Sequence, residues 1–314
     1  MLKTIALAAM LSLAPALANA ADKLQVILEW YVNPDHAPMV IAAENGYFEE
    51  AGLDVELVPP ADPSMVPRMV AAGKADIGIH YQPNLYLDHD AGIDIVRFGT
   101  LVATPLNTLT VLADGPVTDL SALKGKKIGF SVSGIEDAVV AAMLQSTGLT
   151  RDDITLVNVN FALTQSLLSG QVDATIGAFR NFELTQMQIE GEEGKAFYPE
   201  EHGVPVYDEL IYVTRSDMIG DDRLPRFLDA VEKATIFITN HPEEAWESFA
   251  RAYPDLDDTL NRQAFADTIP RFAKRPAASD EERYRRFGAF MAESGLIGTA
   301  PDVDAISVSV LNEK

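Results

Sequence analysis

The sequence predicts an α/β fold made of two similar lobes, with a hinge and a ligand-binding cleft between them. Short apolar segments with strand character alternate with segments of helical length, an order typical of a mostly parallel sheet. This order occurs twice, and each copy ends in a Gly-x-x-Asp turn, at residues 73–76 and 170–173. Two such units joined by two crossover segments form a cleft that a hinge can close.

The elements of the first unit follow from apolar runs and from residues that begin or end helices. The strands are predicted at residues 24–30, 54–58 and 77–81. Gly52 ends the first helix, and Ser64 is a suitable N-cap for the second. The predicted helices therefore cover residues 39–50 and 64–72.

The second unit repeats this plan, and a helical segment follows it. Its predicted elements are strand 126–130, helix 136–146, strand 154–159, helix 163–169 and strand 174–179. Two further strand-like runs, 109–113 and 209–215, are placed to act as crossovers. Helices are then expected at 224–240, 242–252, 259–272 and 279–294. We therefore expect lobe 1 over residues 21–110, lobe 2 over 111–212 and a return to lobe 1 over 213–314.

The first twenty residues have the pattern of a cleaved signal peptide. Lys3 gives a positively charged N-terminal region, residues 5–17 are apolar, and Ala18-Asn19-Ala20 has the form of a cleavage site. The apolar run is too short for a membrane-spanning helix. An exported protein, periplasmic in a bacterium, is the expectation.

Composition narrows the classes of function. The chain contains no cysteine, which excludes disulfides, thiolate metal sites, cysteine catalysis and lipid attachment through cysteine. Its 47 acidic residues against 24 Lys and Arg give a formal net charge of −23. Such a surface repels nucleic acid and anionic membranes, so neither is an expected partner. A small-molecule ligand is the expected partner instead.

The end of the first predicted strand carries unusual chemistry. Trp30 and Tyr31 are followed closely by Asn33, Asp35 and His36, at a place where α/β folds hold ligands. Trp30 is expected to stack on a ligand. Asn33 and Asp35 suit a turn and a helix cap as well as they suit ligand contacts. His36 is expected to donate a hydrogen bond to a ligand, and the spacing of the histidines does not favour a metal site.

Equivalent strand ends in the two units supply the other candidates. Tyr81 follows one strand, and Phe179, Asn181 and Glu183 follow the other. If the lobes face each other, these residues line the cleft. A carboxylate such as Glu183 suits a ligand with an amidine-like edge, which it can bind through paired hydrogen bonds. Arg180 is an alternative partner for this carboxylate.

The small-residue segment 131–134 precedes a predicted helix. Free backbone N–H groups and the hydroxyl of Ser133 could hold a phosphate or a carboxylate, while a plain turn fits equally well. No GxSxG, HExxH or paired-acid motif is present in the sequence. No cofactor, metal or catalytic residue is therefore predicted.

Four segments resemble one known family, the thiamine pyrimidine synthase and pyrimidine-precursor binding proteins. They are Trp-Tyr-Val-Asn-Pro-Asp-His at 30–36, Ala-Glu-Asn-Gly-Tyr-Phe-Glu-Glu-Ala-Gly-Leu at 43–53, Gly-Lys-Ala-Asp-Ile-Gly at 73–78, and Gly-Ala-Phe-Arg-Asn-Phe-Glu at 177–183. The bacterial members resemble periplasmic binding proteins of ABC importers, so the resemblance implies a type II periplasmic binding protein fold. It also implies partnership with a membrane permease and an ATPase.

The resemblance implies a thiamine pyrimidine precursor as ligand, of the formylaminopyrimidine or hydroxymethylpyrimidine type. Trp30 would stack on the ring, Glu183 would pair with its aminopyrimidine edge, and Asn33, Asp35 and Tyr81 would complete the polar contacts. A flavin precursor and a sulfonate-like or nitrate-like anion are alternative ligands. The eukaryotic members resemble these proteins but are enzymes with a cysteine-rich motif, which this chain lacks.

Overall fold

The computed structural model describes residues 20–310 of the 314-residue chain. The predicted signal peptide, apart from its last residue, lies outside the described residues. Within them, no helix combines the length and the apolar character that are needed to span a bilayer.

Ten strands in the described range form two five-stranded sheets. The first sheet has the order β2-β1-β3-β10-β4 and the second the order β7-β6-β8-β5-β9. In each sheet four strands run in one direction, while β10 and β5 run antiparallel to both of their neighbours. The strands are β1 (Asp22–Ile27), β2 (Leu53–Val58), β3 (Ile77–His80), β4 (Val96–Val102), β5 (Asn107–Leu112), β6 (Lys127–Phe130), β7 (Thr155–Asn158), β8 (Ala174–Phe179), β9 (Gly194–Phe197) and β10 (Leu210–Thr214).

Twelve α-helices in the same range cover the sheets. They are α1 (Ala37–Glu44), α2 (Tyr47–Glu50), α3 (Val66–Ala71), α4 (Gln82–Asp90), α5 (Ile135–Gln145), α6 (Leu163–Leu168), α7 (Glu183–Ile189), α8 (Arg223–Asn240), α9 (Pro242–Ala252), α10 (Thr259–Thr268), α11 (Glu281–Glu293) and α12 (Val303–Ile306). The single helix predicted at 39–50 is two helices, because Gly46 between them adopts a left-handed conformation with φ 74°.

The two runs that we predicted to be crossovers are strands of the sheets. The run at 109–113 lies mostly in β5 of the second sheet, and the run at 209–215 contains β10 of the first. Both strands are almost wholly buried, so their backbone groups need sheet partners. The chain therefore passes between the sheets at residues 103–106 and 198–209, and we propose the lobe boundaries there rather than at 110 and 212.

The C-terminal helices pack on the first lobe. Helices α8 and α9 lie against α1, while α11 and α12 contact α4. Phe227 of α8 stacks on Phe48 of α2, with ring centroids 5.4 Å apart. The first sheet is thus enclosed by helices from both ends of the chain. The predicted architecture, two α/β lobes with a cleft between them, is confirmed.

Candidate ligand-binding site

A cavity of about 300 Å³ lies between the two lobes. Residues that follow β1 and β3 line it from the first lobe, and residues that follow β6, β7 and β8 line it from the second. Asn107 at the start of β5, Tyr207 and Glu209 of the second crossover, and Leu256 and Asn261 of the C-terminal segment also line it. The volume and the position at the carboxyl ends of parallel strands are those of small-molecule sites.

Seven aromatic residues line this cavity: Trp30, Tyr31, Tyr81, Phe161, Phe179, Phe182 and Tyr207. Trp30 and Tyr31 of the first lobe meet Phe161 of the second, with centroids 4.5 Å and 4.3 Å from its ring. These contacts join the lobes at the cavity wall. The flat faces available here suit a flat heterocyclic ligand.

The charge of the lining is entirely acidic. Glu29, Asp35, Glu136, Glu183 and Glu209 line the cavity, and no Lys, Arg or His is among the described residues that do so. Burial raises the pKa of Asp35 to about 6 and the pKa values of Glu183 and Glu209 to about 7. No group of His, Asp or Glu in the described range is arranged to hold a metal ion. The cavity therefore favours ligands that donate hydrogen bonds or carry positive charge.

Glu183 is the first residue of α7 and faces the cavity. Its Oε2 accepts a hydrogen bond from the backbone N–H of Phe179, at 2.6 Å. Arg180 does not pair with it: its guanidinium instead binds Glu200, with a shortest contact of 2.6 Å, and stacks on Tyr198. Among residues 20–310, Glu183 thus has no ion-pair partner that would neutralise its charge.

Asn33 and Asp35 both line the cavity, but only the side chain of Asn33 forms a cap. The cap expected of Asp35 is absent, because its carboxylate binds Asn181 and Thr268 instead. The Asn33 side chain caps the short helical turn Pro34–His36, accepting from the Asp35 N–H at 2.8 Å and donating to the Tyr31 carbonyl at 3.1 Å. Of the two interpretations left open for Asn33, the structure shows the cap, and it also places the residue beside the cavity.

Asn181 lies outside the cavity lining, in a buried contact between the lobes. Its Nδ2 donates to Asp35 Oδ1 and to Thr268 Oγ1, both at 2.7 Å, and Thr268 donates to the same Asp35 oxygen at 2.8 Å. All three side chains are buried. The expectation of a ligand contact is therefore replaced by a role in holding the second lobe against the first.

His36 is also turned away from the cavity. It is fully buried, and its Nε2 lies 3.0 and 3.1 Å from the two carboxylate oxygens of Glu29. Its Nδ1 accepts the Asn33 N–H at 3.1 Å, which requires the neutral tautomer with a proton on Nε2. His36 thus donates a hydrogen bond to Glu29, and not to a ligand as the sequence suggested. Glu29 itself lines the cavity.

Ser133 is exposed and does not line the cavity. Its carbonyl accepts from Asn84 Nδ2 of the first lobe at 3.1 Å, and its N–H approaches Ser64 Oγ at 3.4 Å. The neighbouring Ser131 and Val132 line the cavity in its place. Ser133 therefore contributes a further hydrogen-bonded contact between the lobes.

Sequence reasoning missed Glu29, Phe161 and Glu209 as residues of the site. Phe161 follows β7 at the same edge of its sheet as Phe179, so the strand-end argument that selected Trp30 could have found it. Glu29 lies inside the predicted strand 24–30, and a residue buried within a strand usually belongs to the core and not to a cavity wall. Glu209 is the first residue of the run that the sequence indicates as a crossover. The two backbone N–H groups whose hydrogen bonds it accepts are 103 and 102 residues earlier in the chain, so no local pattern indicates them.

The chain matches a family model and two curated relatives over most of its length. The model described as "NMT1/THI5 like" matches residues 33–245. A Haemophilus influenzae protein, provisionally named a thiamine biosynthesis protein, is 46% identical over 292 residues, which are 93% of each chain. The formylaminopyrimidine-binding protein of Halalkalibacterium halodurans is 30% identical over 72% of this chain and 69% of its own. Fungal relatives at 27% identity or below are named 4-amino-5-hydroxymethyl-2-methylpyrimidine phosphate synthases.

The fold is that of solved solute-binding proteins. The alkanesulfonate-binding protein SsuA from Xanthomonas axonopodis pv. citri, solved with MOPS, superposes with a TM-score of 0.74 at 15% identity, over 93% of this chain and all of that one. This likeness confirms the periplasmic binding protein fold expected from the sequence. The matches to the family model and to the Haemophilus relative show that this chain belongs to the NMT1/THI5-like family.

Proposed function

We propose that this protein is the substrate-binding component of an ABC importer and that it captures a thiamine pyrimidine precursor of the formylaminopyrimidine type by closing its lobes. One observation carries the proposal: the lining combines seven aromatic and five acidic residues with no described cation. An aminopyrimidine is flat, and its amidine-like edge presents N–H donors. Such a ligand matches both properties of the cavity.

Within this proposal, Glu183 binds the aminopyrimidine edge. One carboxylate oxygen is already held by the Phe179 N–H, which fixes the orientation of the group. The ring would lie against the aromatic wall formed by Trp30 and Phe161. Tyr81, Asn33 and Asp35 remain proposed polar contacts, because they line the same cavity.

A sulfonate-like or nitrate-like anion is the main alternative, since one solved protein of this fold, SsuA, is an alkanesulfonate-binding protein. Binding an anion in a buried site requires cationic or N–H donors to offset its desolvation. The acidic lining works against it, because the pKa values of about 6 and 7 leave Asp35, Glu183 and Glu209 largely ionised at about pH 8. A flavin precursor fits the aromatic wall but is much larger than a single pyrimidine.

Binding, and not catalysis, is the activity that we propose. The relative from Halalkalibacterium halodurans is named for binding. The fungal relatives are named as synthases. The resemblance to the eukaryotic enzymes implies that their chemistry uses a cysteine-rich motif. This chain has no cysteine. The same proposal includes export through the predicted signal peptide, a periplasmic location, and docking on a permease driven by an ATPase.

Mass spectrometry of small molecules released from freshly purified protein tests the proposal directly. We expect a formylaminopyrimidine or a close relative in stoichiometric amount when the protein is produced in cells that contain it. A sulfonate or flavin in its place would overturn the ligand assignment. Formation of a hydroxymethylpyrimidine phosphate from pyridoxal phosphate by the purified protein would overturn the assignment as a binding protein.

A further inference from the structure

Three consecutive residues of the second crossover face alternate sides of the chain. Tyr207 and Glu209 line the cavity, while Asp208 is directed into the first lobe. There Asp208 accepts from Thr100 Oγ1 at 3.0 Å and from Arg283, and its N–H donates to Gln82 at 2.7 Å. Alternation of this kind is the property of an extended chain, in which residues two apart share a side. Asp208 thus anchors the segment that presents Tyr207 and Glu209 to a ligand.

Glu209 is held in one orientation by the first crossover. Its Oε2 accepts the backbone N–H groups of Leu106 and Asn107, the latter at 2.9 Å. Both backbone N–H groups bind this one oxygen, and the residue is 2% exposed. The second oxygen is the one that remains for a ligand donor at the base of the cavity.

Tyr207 has a buried hydroxyl whose one described polar neighbour is the side chain of Glu209. Tyr207 is 1% exposed, and its ring packs edge-on against Phe287 at 5.4 Å. No described residue forms a hydrogen bond of normal geometry with the hydroxyl. Burial raises the pKa of Tyr207, and the charge of Glu209 and a weak hydrogen bond to its side chain raise it further. A buried hydroxyl in the wall of a binding cavity that has only one weak protein partner is a group to which a ligand can offer a better acceptor.

We propose that Tyr207 and Glu209 form a second recognition subsite, which binds a ligand substituent that places a hydrogen-bond acceptor beside an N–H donor. An amide such as a formamido group has this arrangement: the Tyr207 hydroxyl donates to its carbonyl oxygen, and Glu209 accepts its N–H. The inference rests on the proposed function and deepens it, because Glu183 is assigned to the ring edge and this subsite to the side chain of the ligand.

The test combines a hydroxyl deletion with a change in the ligand. Tyr207→Phe removes the hydroxyl and keeps the ring against Phe287. Tyr212→Phe is the matched control, because the buried hydroxyl of Tyr212 likewise forms no hydrogen bond of normal geometry with a described residue, but Tyr212 does not line the cavity. Each protein, stripped of bound ligand, is titrated calorimetrically with N-formyl-4-amino-5-aminomethyl-2-methylpyrimidine and with 4-amino-2,5-dimethylpyrimidine, which has the ring without the amide.

We expect Tyr207→Phe to weaken binding of the formylated pyrimidine by about 3- to 10-fold, the worth of one hydrogen bond. Its binding of the dimethylpyrimidine should change by less than about twofold, and Tyr212→Phe should alter neither affinity. A second expectation needs no mutation: the wild type should bind the formylated ligand at least about tenfold more tightly than the dimethylpyrimidine.

Each contrary result has a distinct meaning. An equal loss with both ligands would assign Tyr207 to the ring and overturn the substituent subsite. Unchanged affinity in Tyr207→Phe, or equal wild-type affinity for the two ligands, would also overturn it while leaving the proposed function intact. Failure of the wild type to bind either pyrimidine would instead overturn the proposed function, and this inference with it.

Discussion

Replacing Glu183 by Gln should raise the stability of the ligand-free protein and lower its affinity for the ligand. Gln keeps an oxygen that can accept the Phe179 N–H, and it has nearly the same shape, but it cannot ionise. Burial, together with the nearby charge of Asp35, raises the pKa of Glu183 from 4.5 to about 7. The wild type therefore holds an unfavourable carboxylate in its cavity at alkaline pH.

The size and sign of the effect follow from this pKa. A raised carboxyl pKa contributes stability that is fully present below about pH 4.5 and is lost as the pH rises through about 7. Converted to free energy, this rise in the Glu183 pKa corresponds to at most about 3 kcal/mol of unfolding free energy. We expect about 1 kcal/mol, because solvent in the cavity screens the charge. Glu183→Gln should therefore exceed the wild type in stability at about pH 8 and equal it at about pH 4.5.

Urea unfolding of ligand-free protein at both pH values measures the stability, and calorimetric titration at about pH 8 measures the affinity. We expect Glu183→Gln to lose about 1.5–3 kcal/mol of binding free energy for the formylaminopyrimidine, the worth of a hydrogen bond to a charged group. Glu190→Gln, exposed at the C-terminal end of the same helix, is the control and should change neither quantity. A variant that binds as tightly as the wild type, or is no more stable at about pH 8, would refute this account of Glu183.

Two further predictions concern the residues that support the cavity. Asn181→Ala removes the buried donor between the lobes. It should weaken ligand binding by about 5- to 10-fold and increase the radius of gyration measured by X-ray scattering. Unaltered scattering and affinity would contradict the bridging role of Asn181. His36→Ala leaves the buried Glu29 carboxylate without its partner and should lower the unfolding free energy by about 3 kcal/mol, whereas His89→Ala, at an exposed position, should change it by less than about 0.5 kcal/mol. Equal urea midpoints for these two histidine variants would show that the buried pair does not stabilise the fold.

The sequence was sufficient to predict the lobes and the strand ends that meet at the cavity. Local signals carry this information: turn glycines, helix caps and apolar runs depend on near neighbours. Helix 242–252, which begins with a proline, was predicted with the bounds that α9 has. Trp30, Phe179 and Glu183 were found because a polar or aromatic residue directly after an apolar strand stands at the ligand edge of the sheet.

The remaining features depend on partners that are distant in sequence. The run at 209–215 forms a sheet strand because it pairs with β3 and β4, which lie more than a hundred residues earlier in the chain. Asn181 meets Asp35 across 146 positions, so its role between the lobes has no local signature. His36 and Glu29 are seven residues apart, yet their pairing requires the capped turn that follows Asn33. Periodicity indicates burial but does not show which buried polar groups meet.

The measurement that tests the central claim most directly is a calorimetric titration of ligand-stripped wild-type protein with N-formyl-4-amino-5-aminomethyl-2-methylpyrimidine and, separately, with an alkanesulfonate. An acidic, aromatic cavity without a described cation predicts saturable heat with the pyrimidine and none with the sulfonate. Saturable binding of the sulfonate, with no heat from the pyrimidine, would contradict the account.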